Sequence, residues 1–125
     1  MFIYVMVCII CLMLLLVKKN NPCAILIRAI EPIDGIKMML KRRNFTQLKN
    51  NLTNGPGKLT QSLGITSKEN QQSLIDTLVW IEDHNIKIMK KDILSSSRIG
   101  VDYAGQDAKL PYRFYIKNNQ WVSKT

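Results

Sequence analysis

Histidine occurs once in this chain, as His84, and cysteine three times, as Cys8, Cys11 and Cys23. Cys8 and Cys11 form a CxxC, but a structural zinc site of that type needs a second pair of ligands, and none follows. A redox CxxC opens a helix after a strand, whereas this one sits inside an apolar run. Metal and redox readings of these residues are therefore weak. Charge is absent from Met1 to Val17. A secretory signal would start with a positive segment and close on a small-residue cleavage site, and neither is there. Free thiols without such a signal point to the reducing cytoplasm. Repeats and low-complexity tracts are also lacking, which excludes solenoid and tail-like architectures.

What is present is positive charge. All 18 Lys and Arg and all 9 Asp and Glu follow Val17, and the net charge is +9. Such a surface attracts polyanions, because each contacted phosphate releases condensed counterions. Nucleic acid and an anionic membrane surface are both candidates; a soluble basic protein without either is the plain alternative. With 125 residues the chain forms one domain, whose core has little to spare. The apolar run Met1–Val17, followed by Lys18 and Lys19, is at the lower limit for a membrane span. A short anchor through residues 3–17 with its lysines in the cytoplasm is one reading. A buried strand or helix is the other.

Beyond this run, Cys23–Ile30 is Ile-rich and interrupted only by Arg28, which predicts a buried strand. Glu31-Pro32 ends it. Asp34 is placed to cap a helix from Gly35 to Arg43, with Ile36, Met39 and Leu40 on one face and Lys37, Lys41 and Arg42 on the other. Asn44–Asn54 is polar and expected to be partly helical. Pro56, after Gly55 and before Gly57, suits the first turn of a second helix that stops near Gly64. Thr66–Gln72 is a loop or short helix. Leu74–Glu82 is expected to be a strand, pairing with Ile86–Met89 across Asp83-His84-Asn85. Ser95–Tyr103 reads as a loop, Tyr112–Lys117 as a strand, and Asn118-Asn119 as a turn.

Four blocks in order carry a family resemblance: LIRAIEP at Leu26–Pro32, NGPGKLTQSLGI at Asn54–Ile65, SRIGVDYAGQDAKLPYRFYI at Ser97–Ile116, and WVS at Trp121–Ser123. From Pro22 to Ser123 the chain resembles the C-terminal part of 3-methyladenine (alkyladenine) DNA glycosylases. The resemblance implies one compact mixed α+β domain, of which residues 18–125 would be the C-terminal portion and the N-terminal half is missing. It implies a monomer acting on double-stranded DNA that carries an alkylated purine. Such enzymes bend the duplex, insert a tyrosine in the minor groove and flip the damaged base into a pocket. A water activated by a carboxylate then breaks the N-glycosidic bond. No metal or organic cofactor is implied.

Carried over residue by residue, the resemblance makes Arg28 a holder of the nucleophilic water. An ion pair of Arg28 with Glu31 or another acid is the structural alternative. The backbone carbonyl of Ile99 would contact the same water. Gly55, Gly57 and Lys58 would meet a DNA phosphate, or merely start a helix. The family's catalytic Glu lies upstream of anything here. Glu82, Asp83, Asp102 and Asp107 are the substitutes on offer, and read as solvated charges or turn caps. The positions of the family's stacking and intercalating aromatics hold Val5, Met6, Cys8 and Ile9, and that of its purine-filtering Asn holds Leu15 or Leu16. None of these can stack or hydrogen-bond as required. One permitted set of codons for Met1–Leu16 reads, in the neighbouring frame, as YVYLCYGMYYLFNVVT, similar to the family signature YVYxxYGMYYxxN. The apolar segment 1–17 is therefore expected to be that motif displaced by a frame break, and the chain to be truncated, inactive or impaired, and poorly soluble.

Overall fold

The computed structural model describes residues 2–8, 11–18, 20–75 and 78–122. The apolar N-terminus forms strands rather than a helix. Strand β1 (Phe2–Cys8) pairs antiparallel with β2 (Cys11–Lys18), and β2 pairs antiparallel with β3 (Asn21–Ile27), in the order β1-β2-β3. Leu12, Met13 and Leu14 of β2 face Ile27, Leu26 and Ile25 of β3 in register. Among the described residues, no helix is long and apolar enough to cross a membrane, so a helical anchor through residues 3–17 is not what these residues form. The side chains of β1, and of Val17 and Lys18, lie outside the description, as do residues 9 and 10.

Two features of β3 differ from expectation. It ends at Ile27, leaving Arg28 one residue beyond it, and Asn21–Leu26 are exposed at every position. From Asn21 to Leu26 the strand is an edge with neither face covered, and only Ile27 at its end packs against the core.

Helix α1 (Ile36–Arg42) and helix α2 (Pro56–Leu63) follow where the apolar spacing and the Pro and Gly signals put them. Asp34 does not cap α1. Gly35 takes the N-cap position at φ 70°, in the left-handed region that glycine enters freely, and its carbonyl accepts from the Met38 and Met39 amides. Asp34 is thereby left one residue outside the helix. Pro56 opens α2, and Gly64 closes it at φ 72°.

Helix α2 joins two small cores. On one side Leu59 packs with Leu12 and Leu74, with Ile27, Ile30 and Leu63 against them. On the other, Leu63 and Leu40 pack against Met39, Leu52 and Trp121. Two buried hydroxyls tie the intervening loop down. Thr53 Oγ1 donates to the Ile30 carbonyl at 2.7 Å, and Ser62 Oγ donates to the Leu52 carbonyl at 2.7 Å. Thr53→Val keeps the shape but leaves the Ile30 carbonyl unmatched. We expect a loss of about 1–3 kcal/mol, read as a shift in the urea midpoint at constant slope.

One carbonyl in the last turn of α2 and one side chain beside it are also met by arginines at the end of α1. Arg42 Nη1 donates to the Ser62 carbonyl at 3.0 Å, and Arg43 Nη1 donates to Gln61 Oε1 at 2.5 Å. A Cβ on Gly64 would lie 2.7 Å from Arg42 Cζ, so the guanidinium lies over the helix end. Arg42, read in the sequence as part of a free basic face, is in this way a helix cap.

Thr66 and Glu69 form a capping box around the short 3-10 turn Ser67–Glu69. The Thr66 backbone amide, bonded to Glu69 Oε2 at 2.7 Å, and then the Thr66 hydroxyl, at 2.8 Å, hold this carboxyl below its ordinary value of 4.5. A depressed folded pKa means that the box contributes its stability above about pH 4.5 and loses it as pH falls through the folded value. The Glu69 carboxyl carbon should titrate with a midpoint below 4.5 in the folded chain, and at the ordinary value in urea.

The expected pairing of Leu74–Glu82 with Ile86–Met89 does not form. Residues 76 and 77 lie outside the description; the rest shows one isolated bridge, Ile75 to Trp80, and no strand from Ile81 to Met89. These residues have strand composition but no second strand to pair with among the described residues. Instead β4 (Ile93–Ser96) pairs antiparallel with β5 (Arg113–Ile116), matching Ile93 to Ile116 and Ser96 to Arg113. Strand β5 lies inside the segment Tyr112–Lys117 expected to be a strand. Strand β4 was hidden because it is four residues long and half serine. Arg113 is buried; its guanidinium sits 4.5 Å from the Tyr115 ring centroid and donates to Ser96 Oγ at 3.3 Å.

Candidate functional site

Arg28 emerges where β3 gives way to the segment leading to Pro32. The residue is half-buried, and its Nε is buried without a hydrogen-bond partner. No ion pair to it exists among the described residues, and Glu31 beside it is exposed. The structural alternative, an Arg28–Glu31 pair, is therefore not what the geometry shows. Arg43 Nε, Arg98 Nε and Trp121 Nε1 are unmatched in the same way, so Arg28 is set apart by its place at the end of β3 and not by the unmatched donor alone. Removing one partner of a buried ion pair costs about 3–5 kcal/mol. Because Arg28 has no such partner here and its Nε is unmatched, we expect Arg28→Met to leave the unfolding free energy unchanged or to raise it by up to about 1–3 kcal/mol, measured in urea.

The second part of the site is the turn into α2. Gly55 is the N-cap in extended backbone (φ −178°), which any residue can adopt, and its carbonyl accepts from the Leu59 amide at 2.8 Å. No side chain caps this end. Pro56 has no amide hydrogen, so the open donors of the first turn are those of Gly57 and Lys58. Lys58 is exposed and its Nζ donates to Asn54 Oδ1 at 3.2 Å. A Cβ on Gly55 would touch the Lys58 stem at 3.4 Å, so glycine lets that stem lie close. Open amides, a helix N-terminus and an ammonium group suit an anion such as a phosphate.

The Thr53–Ile30 hydrogen bond brings these two parts near each other in the fold. Thr53 lies two residues before Gly55, and Ile30 two residues after Arg28. Sequence reasoning did not single out Thr53, because an isolated threonine carries no periodic signal. Ile99 is not joined to them. It sits in the loop after β4, partly exposed, before Gly100 at φ 73°. No hydrogen bond, ion pair or core contact among the described residues links it to Arg28.

The acidic residues considered as substitutes are engaged elsewhere or face solvent. Glu82 pairs with His84 at 2.7 Å, and this contact lowers its pKa. Asp83 Oδ1 accepts from the Asn85 amide at 2.7 Å. Asp102 and Asp107 are exposed in the 3-10 segment Asp102–Lys109, where the Asp107 carbonyl accepts from Arg98. No cluster of three metal-ligating side chains occurs among the described residues.

Comparison with known proteins bears on this arrangement. A family model described as methylpurine-DNA glycosylase (MPG) matches residues 1–120. A Clostridium novyi (strain NT) protein named "Putative 3-methyladenine DNA glycosylase" is 40% identical over 121 residues, covering 91% of this chain and 59% of the relative. A protein of the same name from Bdellovibrio bacteriovorus is 40% identical over 116 residues, covering 91% of this chain and 57% of its own length. One from Bacillus licheniformis is 41% identical over 105 residues, covering 84% of this chain and 52% of its own length. The chain thus spans between half and three-fifths of the curated relatives it matches. This chain belongs to the methylpurine-DNA glycosylase family.

Proposed function

We propose that the chain works in the hydrolytic removal of alkylated purines from double-stranded DNA. In that reaction a water oxygen attacks the sugar carbon C1′. The C1′–N bond breaks, its electron pair leaves with the purine, and the water's proton passes to a carboxylate. An alkylated purine leaves readily because it carries positive charge. Arg28 and the Ile99 carbonyl would hold the water, while Gly55, Gly57 and Lys58 would hold a phosphate of the DNA backbone. The observation that carries the reading is the place of Arg28, one residue past β3 and tied through Ile30 and Thr53 to the open turn of α2, with its Nε unmatched in the protein.

On this reading the chain by itself supplies only part of the site. No described carboxylate pairs with Arg28 to take the water's proton. The chain alone would bind DNA without releasing the base. The net charge of +9 also favours a second reading, a non-catalytic DNA-binding protein. Base release from duplex carrying 3-methyladenine, measured beside salt-dependent DNA retention, separates the two once a carboxylate-bearing complement is added. Only the glycosylase reading predicts release then. The displaced-motif reading of residues 1–17 is part of the same proposal. Sequencing the gene across codons 1–24 and several hundred bases upstream tests it, and an upstream region without glycosylase sequence would end it.

A further inference from the structure

Past Ile27 the chain leaves the sheet, and the segment bearing Arg28 no longer runs beside β2. Beyond the sheet ladder, the one hydrogen bond that reaches residues 28–32 among the described residues is the bond of Thr53 Oγ1 to the Ile30 carbonyl, at 2.7 Å. Thr53 is fully buried, and the Ile30 side chain packs against the core that contains Leu59 of α2. The next residue, Asn54, accepts from Lys58 Nζ through its Oδ1 at 3.2 Å. Thr53 and Asn54 therefore reach in two directions. The hydroxyl holds the segment of Arg28, and the amide oxygen holds the ammonium group at the start of α2. A buried hydroxyl on a carbonyl fixes one arrangement, because breaking the bond leaves the carbonyl without water or partner.

We propose that Thr53 is a positioning residue, whose hydroxyl sets the place of Arg28 relative to the turn of Gly57 and Lys58. A DNA phosphate seated on that turn fixes the backbone, and the fixed backbone brings one sugar C1′ to the water held by Arg28. The spacing matters because reaction geometry is steep in distance: a misplacement of about 1 Å can cost about 100-fold. The inference rests on the proposed roles of Arg28 and of the α2 turn, and its test separates its failure from theirs. Ser62 supplies the comparison. Its hydroxyl is as deeply buried and makes a bond of the same 2.7 Å, but that bond ends on the Leu52 carbonyl and does not reach the Arg28 segment.

The test follows the Arg28 Nε–H and Gly57 N–H resonances of the full chain as duplex DNA containing 3-methyladenine is added, beside salt-dependent retention on the same DNA. In the unsubstituted chain both resonances should shift. In Thr53→Val the Gly57 shift and the salt slope should remain, while the Arg28 shift falls severalfold. Thr53→Ser, which keeps the hydroxyl, should restore it. Ser62→Ala also removes a buried hydrogen bond and should lose stability, yet it should keep the Arg28 shift, whereas a role of Thr53 in stability alone would make the two variants alike. Thr53→Cys, close in size and only a weak donor, should lose the Arg28 shift as well and is the variant to read where valine does not fold. The proposal is overturned if the Arg28 resonance follows DNA in the valine and cysteine variants as it does in the unsubstituted chain, or if Ser62→Ala loses the shift too. A Gly57 shift without an Arg28 shift in the unsubstituted chain overturns it and leaves the phosphate role of the turn standing. A chain that DNA neither shifts nor retains overturns the proposed function and this inference together.

Discussion

Leu59→Ala is expected to lower the unfolding free energy by about 2–5 kcal/mol and, in this chain, to remove most of the folded population. Leu59 is fully buried. It is the contact through which α2 packs on β2, touching Leu12 and Leu74 at the centre of the larger core. Truncation leaves a cavity that its neighbours close only in part, because Leu12 is fixed in the β2 ladder and Leu74 sits beside the Ile75–Trp80 bridge. Domains are stable by only about 5–15 kcal/mol in total. Here the buried core among the described residues is Leu12, Met39, Leu52, Leu59, Leu74 and Trp121, so little remains once one is lost. The measurement is urea unfolding followed by Trp121, which reports the second core from its buried position beside Met39 and Leu52. Ile86→Ala, at a residue 73% exposed, is the control and should move the midpoint by less than about 0.5 kcal/mol. Equal effects of the two would mean that the packing around Leu59 does not hold the fold.

Incubated with duplex DNA containing 3-methyladenine, the chain alone should release no base above the uncatalysed rate while being retained on the DNA. A positioned proton acceptor contributes roughly 10²–10⁴-fold to such a reaction, and the carboxylates considered for the task are spent on His84, on the Asn85 amide or on solvent. Arg28 would hold a water on the proposed reading, but a guanidinium carries no free pair to take its proton. Retention should weaken as salt rises, with a logarithmic slope set by the number of phosphates met. Lys58→Ala should make that slope about one unit shallower. Base release by the chain alone at the rate of a full-length relative would show that a carboxylate here does reach the water. Retention independent of salt would remove the phosphate role of the α2 turn.

Much of the helical part of this protein is legible in its residues. Ile36, Met39 and Leu40 recur at helical spacing, and α1 is there. Pro56 can begin a helix and Gly64 can end one, and α2 runs between them. Asn118 takes a left-handed turn conformation at φ 55°, as an Asn-Asn pair after a strand suggests. Family membership was legible too, because ordered blocks of identity survive without any knowledge of contacts.

Strand pairing and polar satisfaction were decided by the tertiary structure. Met1–Val17 offers no period that separates a strand from a helix, and only the match of Leu12–Leu14 to Ile25–Ile27 makes it part of a sheet. Ile81–Met89 has the composition of a strand but no pairing partner among the described residues, so it stays irregular, while the serine-rich β4 is a strand because β5 lies beside it. Asp34 loses the cap of α1 because Gly35 alone can turn through positive φ there. Arg42 folds onto the end of α2 rather than facing solvent, and Thr53 holds the Arg28 segment to the α2 turn. Helix starts and stops depend on the torsions of neighbouring residues, so a sequence contains them. A strand, a buried hydroxyl or a buried arginine is defined by a group distant in the chain, and only the folded molecule says which group that is.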